Sequence, residues 1–480
     1  MNIFETIKAE TETKLEHTAV IEGEDRISYG GLIATAEKIA ELLRQKGVGR
    51  LHRVGLLCDD SIDYIIMSLA VLSLSAVIVP VSTEQTPEEV ETVIDRIDVD
   101  FIIAEEKLRK GGHRDLLQSH NLVKKQFIIV KRSVREKPRS EYFRMNPAFI
   151  RFSSGTTGAS KGVVLSHESI IERTDAADRG LHITSEDVVL WVLSMSYHFV
   201  VSILLFLRRG ATIMLCGGNR FPEVLIEGVM KYNGTFIYAS PFHYGLLSRA
   251  DTLPANVLKR IRLAVSTAMK LPGHVAEEFT AKFGLELTEA YGIIEVGLPF
   301  IRTAGGKDKR GSVGKPLPDY EIAIDNKNPD GIGEIRIKGK GMLDAYYSPW
   351  QSRDDILADG WFKTGDLGKI DRDGFLFIVG REKDVINFVG MKIFAQEVEA
   401  VINQHPRVKE SLVYGIAHPQ YGHLPAAKIV LRDGIGSSDL IDDLRRFCYY
   451  RLAQYKVPKE FNFVAQLAKT PSGKIRRDGW

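Results

Sequence analysis

Cysteine is scarce in this chain. There are three in 480 residues, Cys58, Cys216 and Cys448, far apart and without a Cys-x-x-Cys pair. That excludes a disulfide framework and a cysteine-built zinc site, and it favours a reducing, cytoplasmic compartment. Net charge is nearly absent too: 64 basic residues face 62 acidic ones, for a formal +2. Nothing in that balance calls for a nucleic-acid partner. Extended apolar runs are few. One uncharged stretch, Tyr64 to Val81, reaches 18 residues, the lower limit for a membrane span. Ser68, Ser73 and Ser75 interrupt it, so it reads as a buried helix followed by the strand Val77 to Val81. No membrane span is expected. Met1 to Lys8 is amphipathic and charged, so no secretory leader is expected either.

What is present is ordinary globular material, 44% apolar and 26% charged, long enough for two or three domains. Residues 28–48 carry helical spacing, and Val54–Leu57, Phe101–Ala104 and Gln126–Val130 are short apolar strands. Further strands are expected at 188–193, 211–215, 236–239 and 261–265. Alternating strands and helices predict an α/β fold with parallel layers. Residues 131–146 are basic and mixed in sign, and read as a solvated loop. From Gly311 to Asp373 turns crowd between short strands, a β-rich texture. The last ~100 residues read as an α+β unit, with helices at 396–403 and 440–448 and strands at 412–414 and 427–431. The expected organisation is a large N-terminal domain over 1–380, with a β-rich subdomain about 311–380, a hinge at 381–384, and a small mobile C-terminal domain over 385–480.

The densest chemistry lies in Phe152-Ser-Ser-Gly-Thr-Thr-Gly-Ala-Ser-Lys-Gly-Val-Val-Leu165. Ser153, Ser154, Gly155, Thr156, Thr157 and Gly158 are all small, hydroxylated or without a side chain, and Lys161 follows. Glycines let backbone N–H groups approach an anion, hydroxyls add donors, and the lysine adds charge. This is suited to cradling a polyphosphate. The common P-loop spacing is not met, and strand-like residues flank the loop on both sides, so it is expected to join two strands rather than open a helix. A Gly/Ser/Thr surface turn is the alternative reading.

Four more segments accompany the loop: Tyr291-Gly-Ile-Ile-Glu295, Gly360-Trp-Phe-Lys-Thr-Gly-Asp366, Gly380-Arg381 through Gly390-Met-Lys392 to Glu399, and Thr470-Pro-Ser-Gly-Lys474. In this order and spacing they resemble the adenylate-forming, acyl-activating superfamily, which includes acyl-CoA synthetases, non-ribosomal peptide synthetase adenylation domains and firefly luciferase. The resemblance covers nearly the whole chain. It implies an AMP-forming acid–thiol ligase that uses ATP, Mg2+ and coenzyme A, or the phosphopantetheine of a carrier protein. It implies that Ser153, Ser154, Gly155, Thr157, Gly158 and Lys161 hold phosphates. Thr156, Glu295 and Lys474 would be catalytic, with Glu295 also the magnesium ligand. Tyr291 would stack on adenine, and Asp366 and Arg381 would hold the ribose. Asp366 is expected where a strand turns. Lys474, in a tight turn after Thr470, would bridge the substrate carboxylate and the α-phosphate. Lys383 would be the hinge, and Gly390 and Lys392 would line a thiol tunnel after rotation of the C-terminal domain.

Some positions depart from the pattern. Ser160 replaces a frequent Pro, Ile294 a Thr, Asn387 a Lys and Ala395 a Pro. The segment Ser194 to Phe199 aligns with the acyl-contacting region, and His198 stands where amino-acid-activating relatives carry an Asp. An imidazole cannot replace that carboxylate as counter-ion to an ammonium, so the expected partner is a small carboxylic acid other than an amino acid. His198, Phe199, Tyr238, Ser266, Thr267 and Ala268 are the expected acid pocket, apolar and fitted to an aryl, short or medium acyl group. Ser266-Thr-Ala-Met269 replaces a usual Gly-Gly-Ala. The rival readings are a freestanding loader of a carrier protein, a luciferase-like oxidase, and a nucleotide-binding regulator without turnover.

Overall fold

The computed structural model describes residues 1–108, 115–117, 122–133, 138–152, 161–217, 221–250, 253–302, 309–388, 391–434, 436–470 and 474–477, with backbone alone at Asp115 and Lys392. The Ser153 to Gly158 segment and Gly390 lie outside the described residues. The chain separates into two compact units. The first holds Met1–Gly155, Ser160–Glu321 and Lys338–Phe362, and the second holds Ile322–Ile337 and Lys363–Trp480. The residues expected to hinge, 381–384, lie inside the second unit.

The first unit is built on two large sheets. In the nine-stranded one, Gly162–Ser166, Pro147–Phe152, Val77–Val81, Arg53–Leu57 and Phe101–Glu105 are successive neighbours. Arg53–Leu57, Val77–Val81 and Phe101–Glu105 run parallel, as the alternation of helix and strand predicts. The eight-stranded sheet places Leu287–Ile293, Leu263–Ser266, Phe236–Ala239 and Val188–Trp191 side by side. The uncharged run resolves into the helix Ile62–Ser73 and the strand Val77–Val81, both buried. Ser61 starts that helix by accepting the amide of Tyr64. No helix among the described residues is long and apolar enough to cross a membrane. At the start of the basic 131–146 segment, Arg132 pairs with Asp95 at 2.8 Å.

The second unit contains most of a four-stranded sheet, Tyr320–Asp325, Gly333–Gly339, Phe362–Ile370 and Leu376–Arg381, and a five-stranded sheet dominated by the hairpin Val408–His418 and Gly422–Leu431. Its core gathers Ile393, Val398, Ile402, Val413, Ile429, Leu444 and Phe461. The helices Ala395–Ile402 and Ser438–Tyr449 close over that sheet with their apolar faces, as their 3.6-residue periodicity predicts.

Candidate active site

The strands Pro147–Phe152 and Gly162–Ser166 form an antiparallel pair, with Phe152 opposite Gly162. The Gly/Ser/Thr segment therefore does join two strands. Lys161 begins the returning arm. Its Nζ donates to Gln351 Oε1 at 3.0 Å and lies 4.5 Å from the centre of the Tyr346 ring. The strand Ala345–Tyr346 reaches this position by pairing with Gly162–Ser166, which sets Tyr346 opposite Val163.

Glu295 reaches the same tyrosine from another hairpin. Leu287–Ile293 and Gly297–Ile301 pair antiparallel, with Glu295 in the connecting turn. The Tyr346 hydroxyl donates to Glu295 Oε1 at 3.4 Å. Burial pushes the Tyr346 phenol well above its ordinary value, and the Glu295 charge adds to this. Lys161 and Glu295, 134 residues apart in sequence (295 − 161), thus meet around one ring. Gly292 makes the hairpin this tight, because a Cβ there would stand 2.4 Å from the Gly297 carbonyl oxygen. Tyr291 sits half-buried beside it, its ring 6.0 Å from that of Phe300.

Arg173 holds the turn and was not anticipated. It is 0% exposed and donates to the Gly341 carbonyl from Nε at 2.8 Å and Nη2 at 2.5 Å, and to the Ile294 carbonyl from Nη1 at 3.0 Å. Burial lowers its pKa to about 10. The Ile294 position, which lacks the usual hydroxyl, therefore still contributes its carbonyl to the architecture. The Leu343 amide donates to the Glu295 carbonyl at 2.7 Å and completes the clamp. A helical arginine some 120 residues upstream builds this together with the Leu343 amide, and no local pattern signals it.

The expected acid pocket is an aromatic wall. Trp191 stacks on Tyr238 at 5.3 Å and meets His198 edge-on at 6.4 Å. Phe199 is 1% exposed and packs on Tyr64 at 5.7 Å. Burial raises the Tyr238 phenol to about 12, opposed by a hydrogen bond with Thr267. Ser266 Oγ is buried, with no hydrogen-bond partner among the described residues. The wall is not purely apolar, however. Arg151, from the strand Pro147–Phe152, donates from Nη1 to the Tyr197 carbonyl, and its guanidinium carbon lies 5.6 Å from the Tyr197 ring. The Met195 amide is held by both carboxylate oxygens of Asp60 at 3.0 Å.

Ala268 carries backbone strain. Its φ is +72°, the left-handed region that a side chain disfavours. Ala268→Gly is expected to stabilise the protein by about 0.5–1 kcal/mol, the relief of that strain less the extra chain entropy of glycine. Urea unfolding with an unchanged m-value measures it, and a lower midpoint would show that the methyl group packs favourably.

In the second unit, Asp366 and Arg381 face each other across the pair Phe362–Ile370 and Leu376–Arg381. Asp366 is 4% exposed, and its Oδ1 lies 2.9 Å from Arg381 Nε. The turn expected at Asp366 is absent. The strand runs on to Ile370, with a φ of +69° at Gly365 and a register shift between Leu367 and Gly368. Cross-strand pairing with Leu376–Arg381 supplies the ladder that keeps it extended. Lys383 is exposed in the short helical turn Glu382–Asp384. Lys392 pairs through its backbone with Asn387. Lys474 sits on a closed turn: its amide donates to Thr470 Oγ1 at 3.1 Å, and the Thr470 amide donates to the Lys474 carbonyl at 2.7 Å. Three residues on, Arg477 lies 2.5 Å from Glu399 Oε2 and 3.5 Å from Asp384 Oδ2.

A two-sheet α/β unit presenting a lysine and a carboxylate at one tyrosine, with a second α+β unit bearing a lysine turn, defines the adenylate-forming class. Residues 7–347 match the AMP-binding enzyme family and residues 397–474 match the AMP-binding enzyme C-terminal domain, and the chain belongs to this family. It is 32% identical to the sulfoacetate–CoA ligase of Cupriavidus necator over 69% of this chain and 66% of that protein. It is 28% identical to the oxalate–CoA ligase of Arabidopsis thaliana over 95% of this chain and 93% of that protein. Among solved structures, a benzoate CoA ligase from Burkholderia xenovorans LB400 superposes with a TM-score of 0.82, at 26% identity over 99% of each chain.

Proposed function

We propose that this chain is an ATP-dependent carboxylic acid–thiol ligase that acts in the cytoplasm. In the first half-reaction a carboxylate oxygen of the acid attacks the α-phosphorus of ATP and pyrophosphate leaves. In the second, the thiolate of coenzyme A attacks the acyl carbon and AMP leaves. The observation that carries this reading is the meeting of Lys161, which opens the strand Gly162–Ser166, and Glu295, from the hairpin 287–301, at Tyr346. Opposite charges placed there suit a triphosphate and its counter-cation, and they are preorganised because Arg173 and Leu343 fix the turn.

The remaining roles follow the chemistry of each group. Ser153, Ser154, Gly155, Thr157 and Gly158 donate to phosphate oxygens, and Thr156 adds a hydroxyl at the departing pyrophosphate. Tyr291 lies against adenine. Asp366 accepts the ribose diol, with Arg381 holding its carboxylate in place. His198, Phe199, Tyr238, Thr267 and Ala268 surround the acid beside Ser266, whose unpartnered hydroxyl remains to be satisfied. Lys383 is the hinge, and Gly390 and Lys392 border the path of the thiol. Glu295 is the group that would hold Mg2+. No cluster of three His, Cys, Asp or Glu side chains that could hold a metal occurs among the described residues. One carboxylate with substrate phosphates and water fits magnesium, which seldom uses an all-protein cage. Bound there, it would neutralise phosphate charge. The three free cysteines are all buried, which fits a reducing compartment.

Hydroxylamine trapping tests the reading, because the adenylate is intercepted before any thiol is needed. With ATP, magnesium and a panel of aliphatic, aromatic and dicarboxylic acids, at least one acid is expected to give hydroxamate and pyrophosphate in equal amounts. Silence across the whole panel would remove the ligase assignment. Hydroxamate without thioester on adding CoA would direct the acyl group to a carrier protein instead.

A further inference from the structure

Arg151 is a charged group whose structural partners do not account for it. It stands two residues before Ser153, on the strand Pro147–Phe152, and its side chain is half-buried. Nη1 is spent on the Tyr197 carbonyl. Among the described residues, Nε is enclosed and has no hydrogen-bond partner, and the Nε–Nη2 edge makes no bond. Among the described residues no carboxylate stands within ion-pair distance of it. Glu295 is the carboxylate whose charge does most to favour the guanidinium, yet burial still lowers its pKa from the ordinary value.

The neighbouring buried arginines show how the same fold treats such a group when its role is structural. Arg173 satisfies Nε, Nη1 and Nη2 with backbone carbonyls. Arg53 pairs with Asp100 at 2.9 Å and adds the Ile97 carbonyl at 3.0 Å. Buried charge is retained in proteins when it is paired, because desolvation is otherwise uncompensated. The free edge of Arg151 has the planar two-donor geometry that takes a carboxylate or sulfonate in parallel bonds. Its hydrogen bond among the described residues goes to Tyr197, one residue from His198 in the expected acid pocket.

Resting on the ligase reading above, we infer that Arg151 is the counter-ion for a second anionic group on the acid substrate. The acid is then a dicarboxylate or a sulfo-carboxylate. One acid group is activated as the adenylate, while the other rests on the Nε–Nη2 edge. This replaces the apolar pocket expected around His198, Phe199 and Tyr238 with one that has a half-buried cation in its wall. The Tyr197 ring, 5.6 Å from the guanidinium carbon, would help keep that ion pair from water and so strengthen it.

The test is adenylation by the full chain on acids matched except for a terminal charge: succinate against butanoate, and phthalate against benzoate. The diacid of a pair is expected to have a kcat/KM about 10- to 100-fold above the monoacid, the range that a charged hydrogen-bonded contact supplies. Arg151→Gln is expected to bring that ratio near one, and Arg151→Lys to restore part of it. Equal or better use of the monoacids by the wild-type protein would overturn the inference while leaving the ligase intact. This comparison needs no variant to fold. No hydroxamate from any acid would overturn the ligase reading and this one with it. A raised KM for ATP in Arg151→Gln with the acid ratio unchanged would assign the guanidinium to the phosphates and also overturn it.

Discussion

Lys474→Ala is expected to lower hydroxamate formation by about 10²- to 10³-fold, the cost of removing one preorganised charge from a transition state. The two reacting groups of the first half-reaction, a carboxylate and the α-phosphate, are both anions. A cation between them has most effect as they approach, so the loss should fall on kcat rather than on substrate binding. Thioester formation from supplied acyl-adenylate should be largely spared, since no second anion then has to be brought in. Lys474 does not hang on a loose basic tail, because reciprocal bonds with Thr470 and the bridge between Lys469 and Ile475 close its turn. Equal loss in both half-reactions would show that Lys474 serves the fold or the nucleotide in general.

Arg477→Ala is expected to destabilise the second unit by about 3–5 kcal/mol, the range for removing one partner from a buried ion pair. Arg477 is 16% exposed and sits between Asp384, at 9%, and Glu399, at 10%. Glu399 is fixed as well by the Val413 amide at 2.7 Å. With the arginine gone, two carboxylates face each other in a poorly solvated place. Burial already holds both carboxyls above their ordinary pKa, and Arg477 is the main group opposing it. The sign for pH follows. A carboxyl whose folded pKa is raised favours folding most when protonated, and that benefit disappears as pH rises through the folded pKa. The variant raises those values further. Its deficit against wild type should therefore be large at neutral pH and shrink towards mildly acidic pH. Chemical denaturation across that range measures it. A deficit independent of pH would mean that Arg477 contributes packing rather than charge. Arg477 lies three residues after Lys474, so a loosened tail should depress adenylation too, and Arg477→Lys should recover more of it than Arg477→Ala.

The local elements were readable where hydrophobic period and length agree. Tyr29–Gln45 and Ser438–Tyr449 are helices because apolar residues recur every three or four positions, whereas Ile62–Ser73 was legible as an uncharged run and is buried nearly all round. The hairpin around the Gly/Ser/Thr segment was readable because an apolar strand stands on each side of a run that cannot hold a strand itself. The site was readable as a set of residue types in order, and the spacing alone could not say which of them touch. Asp366 shows the limit. Thr-Gly-Asp looks like a turn, yet pairing with Leu376–Arg381 holds it within a strand and sets Arg381 opposite. Tyr346, which joins Lys161 to Glu295, carries no motif. Neither do Arg173, Arg151 or Arg477, because a long side chain reaching a distant carbonyl or carboxylate leaves no local period.

The order of residue types along this polypeptide was enough to determine an α/β architecture, a loop suited to phosphates, and a lysine turn near the end, since each depends on neighbours within a few positions. Tertiary structure alone decided which charges are compensated. Among the described residues, Arg173 and Arg53 found acceptors, Arg477 found two carboxylates, and Arg151 kept an open edge. Compensation depends on distances between strands and helices that meet only after folding, and a buried charge left open by that process points to what the protein binds.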